Sequence, residues 1–387
     1  MNMISVHPLD PPMKTNATYQ STSSVPTVKE TAASKHLRGY NLPMQFFTRY
    51  TIGEELGSGG FGFVISVKER STGQERAVKF IFKNKVPSSA WVNHNGQTLP
   101  MEIYVLKYIQ HDNIVGYVDS FEDDVYFYLV MELHGSQWNQ PPSTTTPTHI
   151  PGLSHTSEPS DDDDEEEEVG QADVVSQGYQ LSSSSSSSST SNPSMTIPFI
   201  GRRGSCDLFE CIEQHRTFDE SLAKYIFRQI VDCVAHLDKL GICHRDLKDE
   251  NIVIDSDYKV KLIDFGSAVA LPRHYQNEQQ KSKRRTVVLH RKFYGTIAFA
   301  SPEILRMEPY QAEPAEVWSL GVLLYTLVFG EVPFSNPRMA LAAQFHPPTK
   351  IKVSSKCLHL ISCLLEKSPH GRPTIHQVLT HPWLRQQ

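Results

Sequence analysis

The sequence predicts an α+β fold in two lobes, a small strand-rich lobe followed by a larger helical one. Short apolar runs with strand alternation fill residues 50–131, interrupted by one helical stretch. Helical patterns cover residues 221–240 and most of the chain from Val317 to Trp383. Between these parts, residues 137–203 have a polar, repetitive composition that is typical of neither helices nor strands.

Composition divides the chain into four segments. Residues 1–48 are rich in Ser, Thr and Pro, and we expect a disordered N-terminal arm there. Residues 49–136 form the small lobe and its connection to the large lobe, which is residues 204–385. The stretch 137–203 predicts a disordered insertion, which a folded core tolerates because closure costs only about 0.6 kcal/mol per doubling of loop length. Three roles stay open for it: a solvated spacer, a phosphorylation-rich regulator, or a dock for a basic partner.

Charge and composition exclude several function classes. Asp161–Glu168 supplies eight negative charges, and without them the net charge of −6 becomes +2, which gives no footprint for a nucleic-acid partner. The six cysteines form no C-x-x-C pair and are expected to be reduced core residues. No run approaches the roughly 18 apolar residues of a membrane span, and the N-terminus lacks the apolar core of a signal peptide. We therefore expect a soluble monomer in the cytoplasm, with the nucleus as a second compartment.

The first element of the small lobe is a glycine-rich run between two strand-like stretches, the first of which begins at Tyr50. A G-x-G-x-x-G spacing alone is a weak signal, because dinucleotide-binding units use it too. Here the run continues into a strand at Val64, whereas a dinucleotide fold would begin a helix. We expect a hairpin whose side-chain-poor tip approaches triphosphate oxygens, formed by Leu56, Gly57, Ser58, Gly59, Gly60, Phe61 and Gly62.

A lysine on the next strand is the second candidate. Alternation over Glu75–Ile81 predicts a strand with Ala77 and Lys79 on one face. A strand lysine is commonly a solvated edge charge, but its place about 20 residues after the glycine run favours phosphate binding. The helix predicted over Thr98–Ile109 carries Glu102 on its inward side, where Lys79 is the expected partner. An apolar strand, Tyr126–Met131, then leads into Glu132, Leu133 and His134.

The polar string His244–Asn251 follows an amphipathic helix and precedes two apolar runs. It places the carboxylate of Asp246, the ammonium of Lys248 and the carboxamide of Asn251 within eight residues. Such a loop can hold three polar groups over one phosphoryl group. Asp264 then follows a buried strand in Leu262–Gly266, a natural position for a ligand of a divalent ion between phosphates.

With these motifs in this order, the chain resembles the eukaryotic protein kinases. The finer match is to PAS-domain-regulated Ser/Thr kinases of the calcium/calmodulin-kinase-like branch, on the strings YIFRQIV at 225–231, HRDLKDENIVI at 244–254, LIDFGSA at 262–268 and WSLGVLLYTLVF at 318–329. The resemblance implies the bilobal kinase fold, with a small β-rich N-lobe and a larger helical C-lobe. We expect the catalytic part without the sensor, because no PAS-like domain fits in the 48 N-terminal residues.

The resemblance implies how the nucleotide is held. The backbone of the Gly57–Gly62 loop would cover the phosphates of ATP, and Lys79, held by Glu102, would contact the α and β phosphates. Met131 would be the gatekeeper, and the backbone of Glu132–His134 would bind adenine. Leu56, Val64 and Ala77 would line the nucleotide pocket.

The family also implies the catalytic roles. Asp246 would orient the substrate hydroxyl and accept its proton, and Lys248 would neutralise charge on the transferring phosphoryl group. Asn251 and Asp264 would hold Mg²⁺. Lys248 and Thr296 match the pattern of Ser/Thr rather than Tyr kinases. No catalytic position is missing.

Substrate choice rests on fewer residues. Asp207 and Glu250 occupy positions where basic-directed kinases place carboxylates against an Arg of the substrate, so a preference for basic peptides is expected. The alternative is that both are ordinary helix-start and loop charges. Arg245 is a candidate to anchor a phosphate on Thr286 or Ser282, although the resembling family often does without one.

Two departures and one ion pair complete the comparison with the family. Glu316 stands where most kinases have Asp, and Ser301 replaces the usual Ala before Pro302. Glu303 and Arg372 are expected to form an ion pair.

Together, the motifs described above predict an ATP-dependent Ser/Thr protein kinase acting in signalling or metabolic regulation. The alternatives are a pseudokinase that serves as a binding module, and a small-molecule kinase, which fits the peptide-holding 264–303 segment poorly.

Overall fold

The computed structural model of the protein describes residues 30–138, 200–271 and 287–385. The small lobe contains, in chain order, α1 (Ala32–Leu37), α2 (Met44–Arg49), β1 (Tyr50–Ser58), β2 (Gly62–Glu69), β3 (Glu75–Phe82), β4 (Trp91–His94), β5 (Gln97–Pro100), α3 (Met101–Tyr108), β6 (Tyr117–Glu122) and β7 (Tyr126–Glu132). The large lobe contains α4 (Leu208–His215), α5 (Glu220–Leu240), β8 (Ile242–Cys243), β9 (Ile252–Ile254), β10 (Val260–Leu262), β11 (Val269–Ala270), α6 (Pro302–Leu305), α7 (Ala312–Phe329), α8 (Pro337–Ala342), α9 (Ser355–Leu364), α10 (Ile375–Leu379) and α11 (Pro382–Arg385). The α+β, two-lobed prediction is confirmed.

A five-stranded antiparallel sheet in the order β1-β2-β3-β7-β6 forms the small lobe. Because side chains alternate along a strand, the sheet has two apolar faces. The inner face packs into the main core through Ala77, Ile81, Leu129 and Met131. The outer face forms a second cluster through Phe63, Val78, Phe80, Tyr128 and Val130. The central strand β3 therefore presents Lys79 from the inner face toward the large lobe.

The outer face of this sheet is covered by residues that the sequence analysis assigned to a disordered arm. Helices α1 and α2 bury Ala33, Leu37 and Phe46 completely against it. The prediction of disorder over residues 1–48 is therefore wrong for residues 30–48, and residues 1–29 lie outside the described residues. Ala33 and Leu37 have the i, i+4 spacing of a helix, but α1 and α2 are only six residues each, too short for the pattern to stand out from the Ser-, Thr- and Pro-rich surroundings.

The helix that carries Glu102 starts later than predicted. It begins at Met101, because residues 97–100 pair with β4 in a hairpin whose turn is Asn95-Gly96, both with positive φ. Asn-Gly between two extended segments is a strong hairpin signal, since both residues tolerate the left-handed region. The predicted start at Thr98 missed this signal.

Two long helices build the core of the large lobe. α5 is capped at its N-terminus by Asp219, whose carboxylate accepts from the backbone N–H groups of Ser221 and Leu222, and at its C-terminus by Gly241 in the left-handed conformation. α7 is apolar all round, and Trp318 and Leu323 are fully buried. The same core cluster reaches the inner face of the small-lobe sheet, so the lobes share one apolar interior.

The predicted insertion is narrower at its end than 137–203. Ile200 is 1% exposed in the outer cluster, and Arg202 forms a parallel bridge with Glu55 of β1. At the other end, Trp138 packs against His215 and Tyr258. Disorder is therefore a wrong prediction for residues 137, 138 and 200–203, and residues 139–199 lie outside the described residues. The acidic run, the serine tract and the candidates Ser282 and Thr286 also fall outside them.

All six cysteines are free, and four of them are buried, as expected for reduced core residues. Among residues 30–138, 200–271 and 287–385, no helix has the length and apolar character that a bilayer crossing requires.

Candidate active site

Two carboxylates that are far apart in sequence meet at Lys79, which is 5% exposed. Its Nζ lies 2.6 Å from Oε1 of Glu102 on α3 and 2.9 Å from Oδ1 of Asp264. Burial alone would lower the pKa of Lys79, but the two carboxylates outweigh it and raise the pKa, so the ammonium stays charged. Burial raises the pKa of Glu102 to about 7 against the opposing effect of Lys79. Glu102 is therefore more easily protonated than an exposed glutamate.

Asp264 is held in the left-handed region, with φ 60°, directly after β10 and Ile263. Its Oδ1 also accepts from the backbone N–H of Gly266 at 3.2 Å, and its side chain remains 39% exposed. Burial works to raise the pKa of Asp264, but Lys79 outweighs it and the pKa is lowered. An ionised, partly exposed carboxylate thus faces the cleft beside a fixed ammonium.

The string His244–Asn251 fixes Asp246 by contacts on both carboxylate oxygens. Oδ1 accepts from the backbone N–H of Thr296 at 2.8 Å and from its hydroxyl at 3.0 Å. Oδ2 accepts from Nδ2 of Asn251 at 3.1 Å. His244 is fully buried between Ile263 and Phe265, and burial lowers its pKa, so it is a neutral structural group.

Lys248 connects Asp246 and Asp264 electrostatically. Burial lowers the pKa of Lys248, but a hydrogen bond to Glu250 and the charges of Asp246 and Asp264 raise it overall. The charges of Lys248, Glu250, Asp246 and Asp264 therefore influence one another across the same cleft. The ammonium donates to the carboxylate of Glu250, so Glu250 competes with any phosphate for this charge.

Asp207 and Glu250, the two carboxylates predicted to bind an Arg of basic substrates, have different environments. Asp207 caps α4, accepting from the backbone N–H of Glu210 at 2.9 Å, and it accepts from the Ser205 hydroxyl at 2.5 Å. Burial raises the pKa of Asp207 above its ordinary value. These hydrogen bonds are the contacts of a helix-start residue, and a role of Asp207 in substrate choice stays a prediction. The side chain of Glu250 is 54% exposed and faces Lys248.

The glycine-rich run forms the predicted hairpin tip between β1 and β2. The backbone N–H of Gly59 donates to the carbonyl of Gly62 at 2.8 Å. A Cβ on Gly62 would lie 1.9 Å from the carbonyl oxygen of Phe80, so packing requires this glycine. A Cβ on Gly57, Gly59 or Gly60 would meet nothing within 4 Å, so these three positions face open space. Ser58 is exposed and Phe61 lies over Gly266.

The residues predicted to line the nucleotide pocket share one side of the sheet. Val64 pairs with Lys79 across β2 and β3, and Ala77 pairs with Met131 across β3 and β7. Leu56 and Val64 are partly buried against the main core, and Met131 is 7% exposed.

An unpredicted ion pair secures the connection between the lobes. The carboxylate of Glu132 accepts from the backbone N–H of Gly116 at 2.6 Å and from Nζ of Lys261 on β10 at 2.8 Å. Burial works to raise the pKa of Glu132, but Lys261 outweighs it and lowers the pKa. The ring of His134 faces the carbonyl of Lys259 at 3.1 Å. The only sequence signal for Lys261 was a charge between the apolar residues of a short strand.

The segment before Thr296 is anchored by Arg245. Its guanidinium donates to the carbonyl of Lys292 at 3.1 Å and lies 5.5 Å from the ring centroid of Tyr294. The Tyr310 hydroxyl donates to the same carbonyl at 3.1 Å. The sequence predicted Arg245 as a phosphate anchor and missed these contacts.

The predicted ion pair of the large lobe is present away from the cleft. Arg372 donates to both carboxylate oxygens of Glu303, at 2.7 and 2.8 Å. Its side chain is fully buried and packs 5.2 Å from the Trp318 ring. This pair has a structural role.

Comparison with known proteins shows relatives of similar sequence. A family model described as "Protein kinase domain" matches residues 50–140 and 188–384. The chain is 34% identical, over 87% of its length, to the PAS domain-containing serine/threonine-protein kinase of Mus musculus. It is 29% identical over 92% of its length to the serine/threonine-protein kinase PSK1 of Saccharomyces cerevisiae, and 28% identical over 90% to the serine/threonine-protein kinase pim-2 of Danio rerio.

The coverage of these relatives differs. The chain spans 18% of the mouse protein and 20% of the yeast protein, but 88% of the zebrafish one. The likeness to the first two is therefore a likeness to one part of a longer protein. The match of the family model covers most of the chain and includes every motif described above, and so the chain belongs to the protein kinase domain family.

Proposed function

We propose that the protein is an active serine/threonine protein kinase that transfers the γ-phosphoryl group of ATP to Ser or Thr hydroxyls. The observation that carries this proposal is the joint contact of Lys79 with Glu102 and Asp264, at 2.6 and 2.9 Å. It brings α3 and the end of β10 to the same ammonium. The same cleft holds Asp246, with both carboxylate oxygens fixed.

Each group has a step to perform. Glycines 57, 59 and 60 leave room for the ATP phosphates under the loop backbone, and Lys79 would neutralise the α and β phosphates. Asp246 would orient the acceptor hydroxyl and accept its proton as the hydroxyl oxygen bonds to the γ-phosphorus and the β–γ bridging oxygen leaves. General-base catalysis of this kind contributes about 10²–10⁴-fold. Lys248 would share its charge between Glu250 and the transferring group.

The donor set of the cleft fits a magnesium ion. Asp264 is an ionised carboxylate, and Asn251 donates to Asp246 through Nδ2, while a metal would use Oδ1 of Asn251. Carboxylate and carboxamide oxygens are the ligands that Mg²⁺ prefers. Bound Mg²⁺ would neutralise charge on the phosphates and orient them. These two residues would hold it.

The alternative of a pseudokinase is not favoured. Lys79, Asp246, Asn251 and Asp264 are all unsubstituted, and the relatives above are named as serine/threonine-protein kinases. For substrates, we propose Ser/Thr acceptors in a basic context, read by Glu250 and Asp207, with Thr296 beside the acceptor. A monomer in the cytoplasm, or also in the nucleus, stays a prediction.

The proposal is tested with the purified chain, Mg-ATP and a basic Ser-containing peptide. Phosphate transfer by the unaltered protein is expected, with a loss of about 10²–10⁴-fold in kcat for Asp246→Asn. The amide oxygen of the variant can still accept from the N–H and hydroxyl of Thr296, whereas its –NH₂ group cannot accept from Asn251. Because Lys79 and the glycine-rich loop are untouched, nucleotide affinity should change little. An unaltered protein that binds Mg-ATP but transfers no phosphate to peptide or water would overturn the proposal in favour of the binding module.

A further inference from the structure

The segment 200–203 lies beside the free edge of the small-lobe sheet. β1 is the edge strand, and the backbone N–H of Glu55 donates to the carbonyl of Gly201 at 2.7 Å. The backbone N–H of Arg203 in turn donates to the carbonyl of Glu55 at 2.9 Å. The segment therefore extends the sheet in parallel by a short stretch, two residues before Gly57.

The side chain of Glu55 is directed into the protein at the same point. It is 3% exposed, and its Oε2 accepts from the backbone N–H of Ala33, in the first turn of α1, at 2.6 Å. The carbonyl of Ile200 accepts from the hydroxyls of Thr31 and Ser34, at 2.8 and 3.2 Å. Three segments distant in sequence thus meet at Glu55: the start of α1, the strand β1 and residues 200–203.

The pairing of β1 with β2 is irregular at this residue. The register shifts between Ile52 and Glu55 and again between Glu55 and Gly57. Such irregularities interrupt the ladder and bend the strand, so the neighbouring strand defines its course less well. The contacts on the outer edge therefore add to the β2 pairs of Gly57 and Ser58 in fixing the strand where it enters the glycine-rich loop.

We propose that Glu55 is a positioning residue for nucleotide binding, which fixes the β1 end of the Gly57–Gly62 loop through Ala33 and residues 200–203. The inference rests on the proposed function, in which this loop covers the ATP phosphates. Residues 200–203 are the end of the segment predicted as an insertion, so the chain runs directly from that segment into these contacts. Residues 139–199 join Trp138, which stacks on Tyr258 in the large lobe at 6.2 Å, to Ile200 on the small lobe.

The test compares Glu55→Ala, Glu55→Gln and the control Glu54→Ala in the full chain. Glu54 is the same residue type one position earlier, and its side chain is exposed. For Glu55→Ala we expect the Kd of Mg-ATP and the KM for ATP to rise about tenfold, with kcat within about twofold, because the loop loses its anchor and an N–H is left unpaired. Glu55→Gln keeps an oxygen for the Ala33 N–H and should recover affinity. Glu54→Ala should match the unaltered protein.

Calorimetric titration with Mg-ATP separates the outcomes. If Glu55→Ala lowers the melting temperature and leaves the Kd of Mg-ATP unchanged, Glu55 is only structural and the inference is overturned. Should Glu55→Ala fail to fold, Glu55→Met keeps most of the side-chain volume and removes the acceptor for the Ala33 N–H, and unaltered ATP affinity would equally overturn the inference. Failure of the unaltered chain to bind Mg-ATP would instead refute the proposed function and, with it, the role of Glu55.

Discussion

The backbone N–H of Arg245 donates to Oε2 of Glu316 at 3.0 Å in the interior of the large lobe. Arg245 has φ 67°, a conformation that costs a non-glycine residue energy unless its surroundings hold it. The carboxylate on α7 thus holds the backbone that places Asp246. The glutamate that departs from the usual family residue performs this task from the N-terminal part of a buried helix.

This buried carboxylate makes the stability of the protein pH-dependent. Burial raises the pKa of Glu316 to about 7 from 4.5, while the N–H groups of Arg245 and His244 oppose the shift. The folded state therefore binds the proton more tightly than the unfolded state. The stabilisation is complete below the unfolded pKa and is lost as pH rises through about 7.

We expect Glu316→Gln to reduce this dependence, since the amide oxygen still accepts from Arg245 and does not titrate. Between pH 5.5 and 8, the free energy of unfolding of the unaltered protein should fall by about 2 kcal/mol more than that of the variant. Urea denaturation at both pH values measures it, and the other titrating groups cancel because both proteins carry them. Parallel pH profiles would contradict the assignment.

Substitution of Asp264, the proposed metal ligand, should leave ATP binding intact and remove its dependence on Mg²⁺. Asp264→Asn loses the carboxylate beside Lys79, while the Lys79–Glu102 contact at 2.6 Å remains. We expect ATP binding without Mg²⁺ to persist and the gain in affinity on adding Mg²⁺ to disappear. Activity should fall by about 10²–10³-fold, the usual loss for one preorganised electrostatic contact.

The matched variant is Glu102→Gln, which leaves Asp264 in place but weakens the hold on Lys79. Its ATP affinity should drop both with and without Mg²⁺. Nucleotide titrations with EDTA and with excess Mg²⁺ distinguish the two patterns. If Asp264→Asn keeps the full Mg²⁺-dependent gain in affinity, the metal is held elsewhere.

The local motifs of this site were predictable because each is a short string with its own chemistry. The glycine hairpin, the string around Asp246 and the Asp264 turn are each defined within twelve residues. Contacts between distant segments were not predictable. Lys261 against Glu132 depends on how β10 meets the end of β7. Burial of Phe46 against the sheet depends on an outer face that only the folded strands create.

If the protein prefers basic substrates through Glu250, substitution of Glu250 should weaken the binding of an Arg-containing peptide and leave an Ala-containing control peptide unaffected. The side chain of Glu250 is 54% exposed, whereas Asp207 is used as the cap of α4 and its loss would also weaken that helix. For Glu250→Gln, we expect the KM of an Arg-containing peptide to rise about fivefold, near the 1 kcal/mol of an exposed ion pair. The KM of the same peptide with Arg replaced by Ala should stay constant. Equal changes for both peptides would show that Glu250 does not read the Arg.

Activity should not require a phosphate on the segment before Thr296. In many proteins a buried arginine is positioned only when an anion binds it. The Arg245 guanidinium already donates to the carbonyl of Lys292 and lies over the ring of Tyr294. Tyr310 fixes the same carbonyl. The segment therefore holds the guanidinium in place by one hydrogen bond and one ring contact, although the buried Nε of Arg245 has no hydrogen-bond partner.

We expect the double variant Ser282→Ala with Thr286→Ala, and the phosphatase-treated unaltered protein, to retain more than about half of the kcat/KM. Tyr294→Ala should lower kcat/KM further than either, because it removes the ring beneath Arg245 and loosens the backbone that holds Thr296 against Asp246. Peptide phosphorylation rates after mass-spectrometric confirmation of the phosphate state provide the measurement. A tenfold loss on phosphatase treatment, restored by rephosphorylation, would mean that Arg245 needs a phosphate after all.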